Sequence, residues 1–433
     1  MDNVTHTLVG LLVGEGAARV ALRARSGSAP PAPDAPPATT LRNLLVVEMV
    51  VGSNLPDLDI FYSAVSGDRL DYVLQHRGYT HTLLGVAVLA LLIWGASALW
   101  LRARGRRMRA FEALWIGGIA LLGPLLHLAM DYTNSYGVHP YWPLDGRWVY
   151  GDSVFIIEPL LWAAAAPLVF LLRTWAARAF VAVSLAGAVA GVALLVSVGV
   201  ARWPSLLALL VLILIMLAAG RWLRPAPALA CGIALWGGIT LLFLAAGHAA
   251  ARAAERYAMA HFPRAQLLDH VLTPLPANPL CWELLLLQTE GERYLIRRAE
   301  MSLAPTAVPA TECPNRSLQG PSLVPLVQVP DAGSPGLAWY GQLDMPRSSL
   351  AQLAATYCRA AAFLRFARAP WESEQGPLPL IGDLRFASGA RSGFAELELE
   401  RAAACPWLVP SWQPPRSDLL GGTPAAAAAA PRP

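Results

Sequence analysis

HRGYTHTLLGVAVLALLIWGASALWLRARGRRMR, residues 76 to 109, decides the fold class. From Thr80 to Leu101 it carries no Asp, Glu, Lys or Arg, and about 20 apolar residues is the length of helix that crosses a bilayer. The run then ends in Arg102, Arg104, Arg106, Arg107 and Arg109, the basic flank expected of a cytoplasmic connection. Comparable apolar runs lie at 41–60, 110–132, 154–173, 178–201, 204–222 and 227–250. Val4 to Leu22 is a further candidate that carries Glu15 and Arg19, and reads as a short span packed inside the bundle or as an interfacial helix, the packed span being preferred. The composition agrees: of 433 residues 55% are hydrophobic and 14% charged, against about 25% charged in soluble domains, and the mean hydropathy is +0.45. The expected fold is mainly α, a polytopic membrane helix bundle of seven to eight spans with a smaller C-terminal α+β soluble domain.

The membrane domain is expected over 1–255, where the apolar runs collect, and the soluble domain over 256–415, where charges and prolines collect. Ser26 to Thr40 is rich in proline, alanine and serine and reads as a flexible loop. Residues 416–433 read as a disordered tail. Within the soluble part, Trp282–Gln288 and Arg293–Arg298 flank a Thr-Glu-Gly-Glu turn and predict a hairpin. Ser348–Ala367 has helical periodicity, and Leu380–Ala387 with Phe394–Leu399 predict two more strands. Of the five cysteines, Cys281, Cys313, Cys358 and Cys405 lie in this part, so one or two disulfides are expected if it is exported. No CxxC pair is present to hold zinc. The start of the chain lacks the basic segment and cleavage site of a signal peptide.

The net charge of +4 is small for this length, and the arginines stand in short blocks between apolar runs. They read as topology signals, with no nucleic-acid partner implied. Arg19, Arg23, Arg25 and Arg42, the block at 102–109, Arg173 with Arg178, and Arg221 with Arg224 mark four connections on one side. The chain is expected in the cell inner membrane, multi-pass, with both termini and the C-terminal domain on the extracytoplasmic side.

That topology gathers the chemistry. His6 opens the first segment, and Asp57 and Asp59 close the second in Asn54-Leu-Pro-Asp-Leu-Asp59. His76 and His81 precede and open the third, and His127 lies near the outer end of the fourth, followed by Asp131. Ionisable groups at membrane depth are costly and mark function, and a divalent cation would offset the carboxylate charge. His127 and Asp131, at i and i+4, share a helix face. Asn54 and Pro56 break the second helix, which lets both aspartates turn inward, and Thr80 is a plausible N-cap of the next. A histidine and carboxylate set without thiolates suits catalytic zinc or manganese, and more than four ligands implies two or more ions. Arg77 is suited to an anionic oxygen such as a phosphate, or it simply snorkels. Asp152, Glu158 and Glu15 are lesser ligand candidates, the first two also possible as a helix cap or supporting group. Asn134 and Tyr136 are candidates for substrate contact. His139, Tyr141, Trp142 and Trp148 read as an interfacial belt.

Residues 1 to about 160, through Asp2-Asn-Val-Thr-His6, Asn54-Leu-Pro-Asp57-Leu-Asp59, His76-Arg-Gly-Tyr-Thr-His81 and His127-Leu-Ala-Met-Asp131-Tyr-Thr-Asn-Ser-Tyr-Gly137, resemble the YdjM-like family of membrane-bound metal-dependent hydrolases. The run Pro274-Leu-Pro-Ala-Asn-Pro-Leu-Cys-Trp282 is similar to the segment that succeeds the membrane part in some members. A distant similarity of that family to zinc-dependent phospholipase C and P1-type nucleases implies phosphoester hydrolysis by clustered zinc ions. The proline-rich insertion at 26–40, and Glu158 where aspartate is expected, depart from the pattern.

The expected function is therefore a metal-dependent hydrolase at the outer membrane face, cleaving a phosphoester, a lipid-linked one among the candidates, with a metal-activated water. His6, Asp57, Asp59, His76, His81, His127 and Asp131 would hold the ions, and Asp57 or Asp59 would serve as base. A metal or proton transporter and a non-catalytic assembly factor with a structural metal are the alternatives. Transport asks for ionisable residues running on through the bilayer, and the spans from 178 to 222 carry few.

Overall fold

The computed structural model describes residues 1–27, 32–313, 324–327, 329, 333–374, 376–387, 393–401 and 403–421. The tail expected to be disordered lies outside the described residues from 422 onward, as do 28–31 of the proline-rich loop. The described remainder of that loop is pinned to the arginine block. Arg109 pairs with Asp34 at 2.8 Å, the Arg107 amide donates to the Asp34 carbonyl, and Arg106 reaches the Pro33 and Ala35 carbonyls.

Five helices among the described residues are long and apolar enough to cross a membrane: α5 (Leu83–Ala103), α6 (Ala110–Tyr132), α9 (Trp175–Ser197), α10 (Trp203–Trp222) and α11 (Pro225–His261). The other segments drawn as spans take different forms. Val4–Leu22 lies within α1 (Asn3–Ser26), whose N-terminus is capped by Asp2 accepting from Val4 and Thr5. Residues 41–60 divide into α2 (Ala38–Gly52), a 3-10 turn at Leu55–Asp59, and the start of α3 (Ile60–Ser66). The cause is Pro56, which has no amide hydrogen to continue the helix. Residues 154–173 form only α7 (Pro159–Ala163) and α8 (Leu168–Leu171), because Pro159 starts the first and Pro167 interrupts the backbone bonding between them. The short α4 (Arg69–Gln75) precedes the His76 motif.

α1 and α2 form an antiparallel pair that packs on α6, with α5 beside it. One glycine contact sets the spacing. A Cβ on Gly52 would lie 3.0 Å from the Gly123 Cα, and one on Gly123 would lie 2.9 Å from the Gly52 Cα. The α2 and α6 backbones therefore touch, which side chains at these positions would prevent.

α11 has 37 residues and so is about 55 Å long, well beyond a hydrocarbon core of ~30 Å. Its last turns, through Ala250, Ala254 and Ala258, pack on one face of an antiparallel sheet. Its strands β1 (Gln266–Leu275), β2 (Asn278–Glu290), β3 (Arg293–Ser302) and β4 (Leu337–Pro346) lie in sequence order. The predicted hairpin is the β2–β3 pair, closing at Glu290 and Arg293 with Gly291 at φ 56°. The other face of the sheet, through Leu285, Leu287, Ile296 and Leu343, packs against α12 (Ser349–Thr356), α13 (Cys358–Phe363) and a small sheet of β5 (Pro370–Ser373), β6 (Leu380–Asp383) and β7 (Glu396–Glu398). With both faces covered, β2 is buried almost throughout instead of alternating. Disulfides join Cys281 to Cys313 and Cys358 to Cys405.

This C-terminal β-sheet domain sits on the same end of the bundle as α4 and the loop after α6. Arg359 pairs with Asp68, Gln75 donates to the Leu408 carbonyl, and Arg385 donates to the Ser135 carbonyl at 2.7 Å. Arg368 pairs with Asp152 from the membrane half and with Asp269 of β1, each at 2.8 Å.

Candidate metal centre

Four ligand atoms from three separate chain segments converge. The Nε2 atoms of His81 and His127 lie 3.0 Å apart. Asp57 Oδ1 is 3.4 Å from the first and 3.5 Å from the second, and Asp131 Oδ2 is 3.1 and 3.5 Å from them. A tetrahedral cation with bonds of about 2.0–2.1 Å has ligand-to-ligand edges of about 3.3–3.4 Å, so these separations are those of a coordination shell. His81, His127 and Asp131 have no exposure, and Asp57 is 6% exposed.

The supporting hydrogen bonds fix the imidazoles. His127 Nδ1 lies 2.8 Å from the Ser53 carbonyl, which can only accept, so Nδ1 carries the hydrogen and Nε2 presents a lone pair. The Gly52–Gly123 approach brings that carbonyl within reach. His81 Nδ1 faces Asp59 Oδ2 at 3.2 Å, which fixes the same tautomer. The two Nε2 atoms thus face each other across 3.0 Å with a carboxylate oxygen on either side, an arrangement that could hold a metal ion. A divalent ion fits this donor set, and nitrogen and oxygen donors without thiolates match zinc or manganese chemistry.

Asp59 plays a different part from Asp57. Its Oδ2 accepts from the Arg77 amide at 2.9 Å and the Thr80 hydroxyl at 2.9 Å, and its Oδ1 faces His76 Nδ1 at 3.0 Å. Thr80 is thus engaged with Asp59, and the N-cap of α5 is Thr82, which accepts from the Gly85 amide. Asp57, Asp59 and His76 form a second group of donor atoms lying within 4.8 Å of one another, and it shares Asp57 with the first. Burial pushes the Asp57 carboxyl up, but the adjacent His127 and His81 imidazoles, where Nε2 carries a proton, outweigh it and hold it far below the usual range. Asp59 is likewise held low, burial being overcome by His81 and His76. His76 is pushed down by burial against the pull of Asp59.

His6 stacks on His127 with ring centroids 3.9 Å apart, and its Nε2 lies 3.2 Å from the other Asp131 oxygen, Oδ1. The Met1 amino group also donates to that oxygen. The His6 Nδ1 is buried without a partner. Arg77, expected to meet an anionic substrate, is 1% exposed and directed inward. Its Nε lies 3.0 Å from Asp131 Oδ2, its Nη1 donates to Asn134 Oδ1 at 2.8 Å, and its guanidinium lies over the Tyr136 ring. It therefore positions Asp131, and its backbone holds the left-handed conformation at φ 58° that aims it there. Asn134 Nδ2 and the Tyr136 hydroxyl stay buried without hydrogen-bond partners beside it.

The lesser candidates lie elsewhere. Glu15 pairs with Arg42 between α1 and α2, nine residues and so ~13 Å along α1 from His6. Asp152 pairs with Arg368. Glu158 caps α7 at the Leu160 amide (3.0 Å) and accepts from the Ala277 amide (3.1 Å), tying the Pro274–Trp282 run to the bundle. His139 and Trp148 do not belong to an interfacial belt. His139 has no exposure, lies between Trp148 and Trp412 with centroids 3.8 and 3.9 Å away, and faces the Arg77 carbonyl. Burial pushes its imidazole down to about 3. Ser53 and Trp412 are the supporting residues that sequence reasoning missed. A serine after Gly52 carries no signal for a backbone acceptor, and Trp412 is distant in sequence from everything it touches.

All of these donors fall in one matched stretch. Residues 1–203 match the YdjM inner membrane protein family. The YdjM-matching part thus contains every candidate ligand, and with the apolar helices it makes the chain a multi-pass inner-membrane protein. The C-terminal β-sheet domain lies beyond the match. No curated protein and no solved structure matches the chain.

Proposed function

We propose that the protein is a membrane-bound metal-dependent hydrolase of phosphoesters, with its site and C-terminal domain on the extracytoplasmic side. The observation that supports this best is the convergence of two imidazole Nε2 atoms, 3.0 Å apart, between two carboxylate oxygens in a buried site. His81, His127, Asp57 and Asp131 would hold the first cation. Asp57, Asp59 and His76 would hold a second, which has to replace the proton between His76 and Asp59, so the first set fills first. When bound, such ions supply Lewis-acid polarisation of a phosphoryl oxygen and lower the pKa of water.

The chain's own residues supply the rest. Arg77 and His6 hold the two Asp131 oxygens in place, and Asp59 orients both His81 and His76. Asn134 Nδ2 and the Tyr136 hydroxyl are unpaired donors suited to anionic substrate oxygens. The extracytoplasmic placement is supported by two disulfides in the domain covering the site and by the arginine block at the far end of α5.

The test is metal analysis of the detergent-purified protein together with hydrolysis of a chromogenic phosphodiester before and after chelation. The proposal expects stoichiometric zinc or manganese, loss of turnover on chelation and recovery on metal return. A His127→Ala, Asp131→Ala double variant should lose at least a hundredfold in kcat/KM, and unchanged turnover in that variant would refute the enzyme reading.

A further inference from the structure

The short helix α3 turns its apolar side chains away from the protein. None of its residues is buried, with Phe61 65% and Val65 90% exposed, and Leu58 in the preceding turn 50% exposed. Spaced i, i+3 and i+7, these three make one stripe. Against water such a stripe would face inward, since large apolar side chains gain by leaving water.

The surroundings identify what covers it. The turn carrying Leu58 packs on α5, a membrane span whose Leu83, Leu84, Val88, Leu91 and Leu92 are also exposed. The lipid-facing surface of α5 thus continues through Leu58 onto α3. At its far end, Asp68 is held by Arg359 of the C-terminal domain, which keeps that end at the water side. An apolar stripe between a span and a polar anchor has the character of an interfacial helix. Leu58 stands between the ligands Asp57 and Asp59, and α3 begins at Ile60 directly after them. The lipid-facing surface therefore reaches the metal site without a break in the chain.

We propose that α3 lies in the outer leaflet as an arm of the site, and that the substrate is a bilayer-resident phosphoester whose apolar chain runs along Leu58, Phe61 and Val65 while its anionic head is directed to the cation that Asp57 and Asp131 would hold. The placement of α3 stands alone, and the substrate class rests on the hydrolase reading.

Two measurements on the full-length protein in phosphatidylcholine–phosphatidylglycerol vesicles test it. In a Cys231→Ala background, a nitroxide on Val65→Cys should be more accessible to oxygen than to a water-soluble nickel chelate, the reverse of a label on Glu292→Cys in the β2–β3 turn. A Val65 label that behaves like the Glu292 label overturns the placement. A Phe61→Ser, Val65→Ser variant should lower at least tenfold the ratio of kcat/KM for a long-chain phosphodiester in the vesicles to that for a short water-soluble diester. An unchanged ratio overturns the substrate class. If the wild type hydrolyses neither diester while the Val65 label reports lipid, the hydrolase reading fails and α3 keeps its place in the leaflet.

Discussion

Asp59 faces four donors, from His76, His81, Arg77 and Thr80, which engages most of the acceptor capacity of one carboxylate. Its charge therefore acts largely through the imidazoles it orients, and loss of such a partner typically costs 10–100-fold in metal affinity. Asp59→Asn should loosen the ion at His81 and His127 by about that factor and bring the metal content down to one equivalent, as read by competition with a chromophoric chelator. Metal content and affinity both unchanged would remove Asp59 from the centre. At this scale the sequence was informative where residues carry charge. His81, His127, Asp57 and Asp131 are recognisable because ionisable groups in an apolar chain need a reason to be there. The division of labour between Asp57 and Asp59 was not, because it depends on which way a turn at Pro56 aims two side chains. Arg77 misled for a related reason: a cation beside metal ligands suggests a substrate anchor, yet its left-handed backbone directs it at Asp131.

Helix contacts decide whether the donors meet. His127 belongs to α6 and its carbonyl partner Ser53 comes directly after α2, so their 2.8 Å contact exists only because Gly52 and Gly123 let the two backbones touch. Gly123→Val would place a branched side chain where a Cβ already lies 2.9 Å from the Gly52 Cα. Overpacking of this kind costs about 1–3 kcal/mol. The helix pair should spread, His127 should lose the acceptor that fixes its tautomer, and metal content should fall several-fold while the protein still inserts. Full metal content with a melting temperature like that of the wild type would show that the close approach does not set the site. Helical spans were legible wherever apolar composition ran uninterrupted, as in α5, α6, α9, α10 and α11. They were misread at 41–60 and 154–173, where hydropathy stays high across prolines that end the backbone hydrogen bonding. The glycine pair carries no apolar signal at all, since what matters is that each faces the other.

Across the whole molecule, the β-sheet domain closes over the site end of the bundle. Trp412 lies against His139, which faces the Arg77 carbonyl, and Arg368 joins Asp152 to Asp269. Packing alone determines these contacts between the sheet domain and the bundle, so none of them could be read from the chain. The hairpin and the strands at 380–387 and 394–399 were legible from local patterning, whereas β1 and β4 were missed, their burial depending on partners on both faces. The closed arrangement makes orientation a single question: site, sheet domain and disulfides share one side, and the arginine block at 102–109 takes the other. A reporter fused after Gly105 should be active in the cytoplasm. In intact cells, Cys358 and Cys405 should resist a membrane-impermeant maleimide until an impermeant reductant is added, and then react. A cytoplasmic chain would keep these thiols reduced, and they would stay shielded from both reagents until the membrane is opened. That outcome, together with an exported reporter signal at 105, would turn the centre towards the cytoplasm and exclude extracytoplasmic substrates.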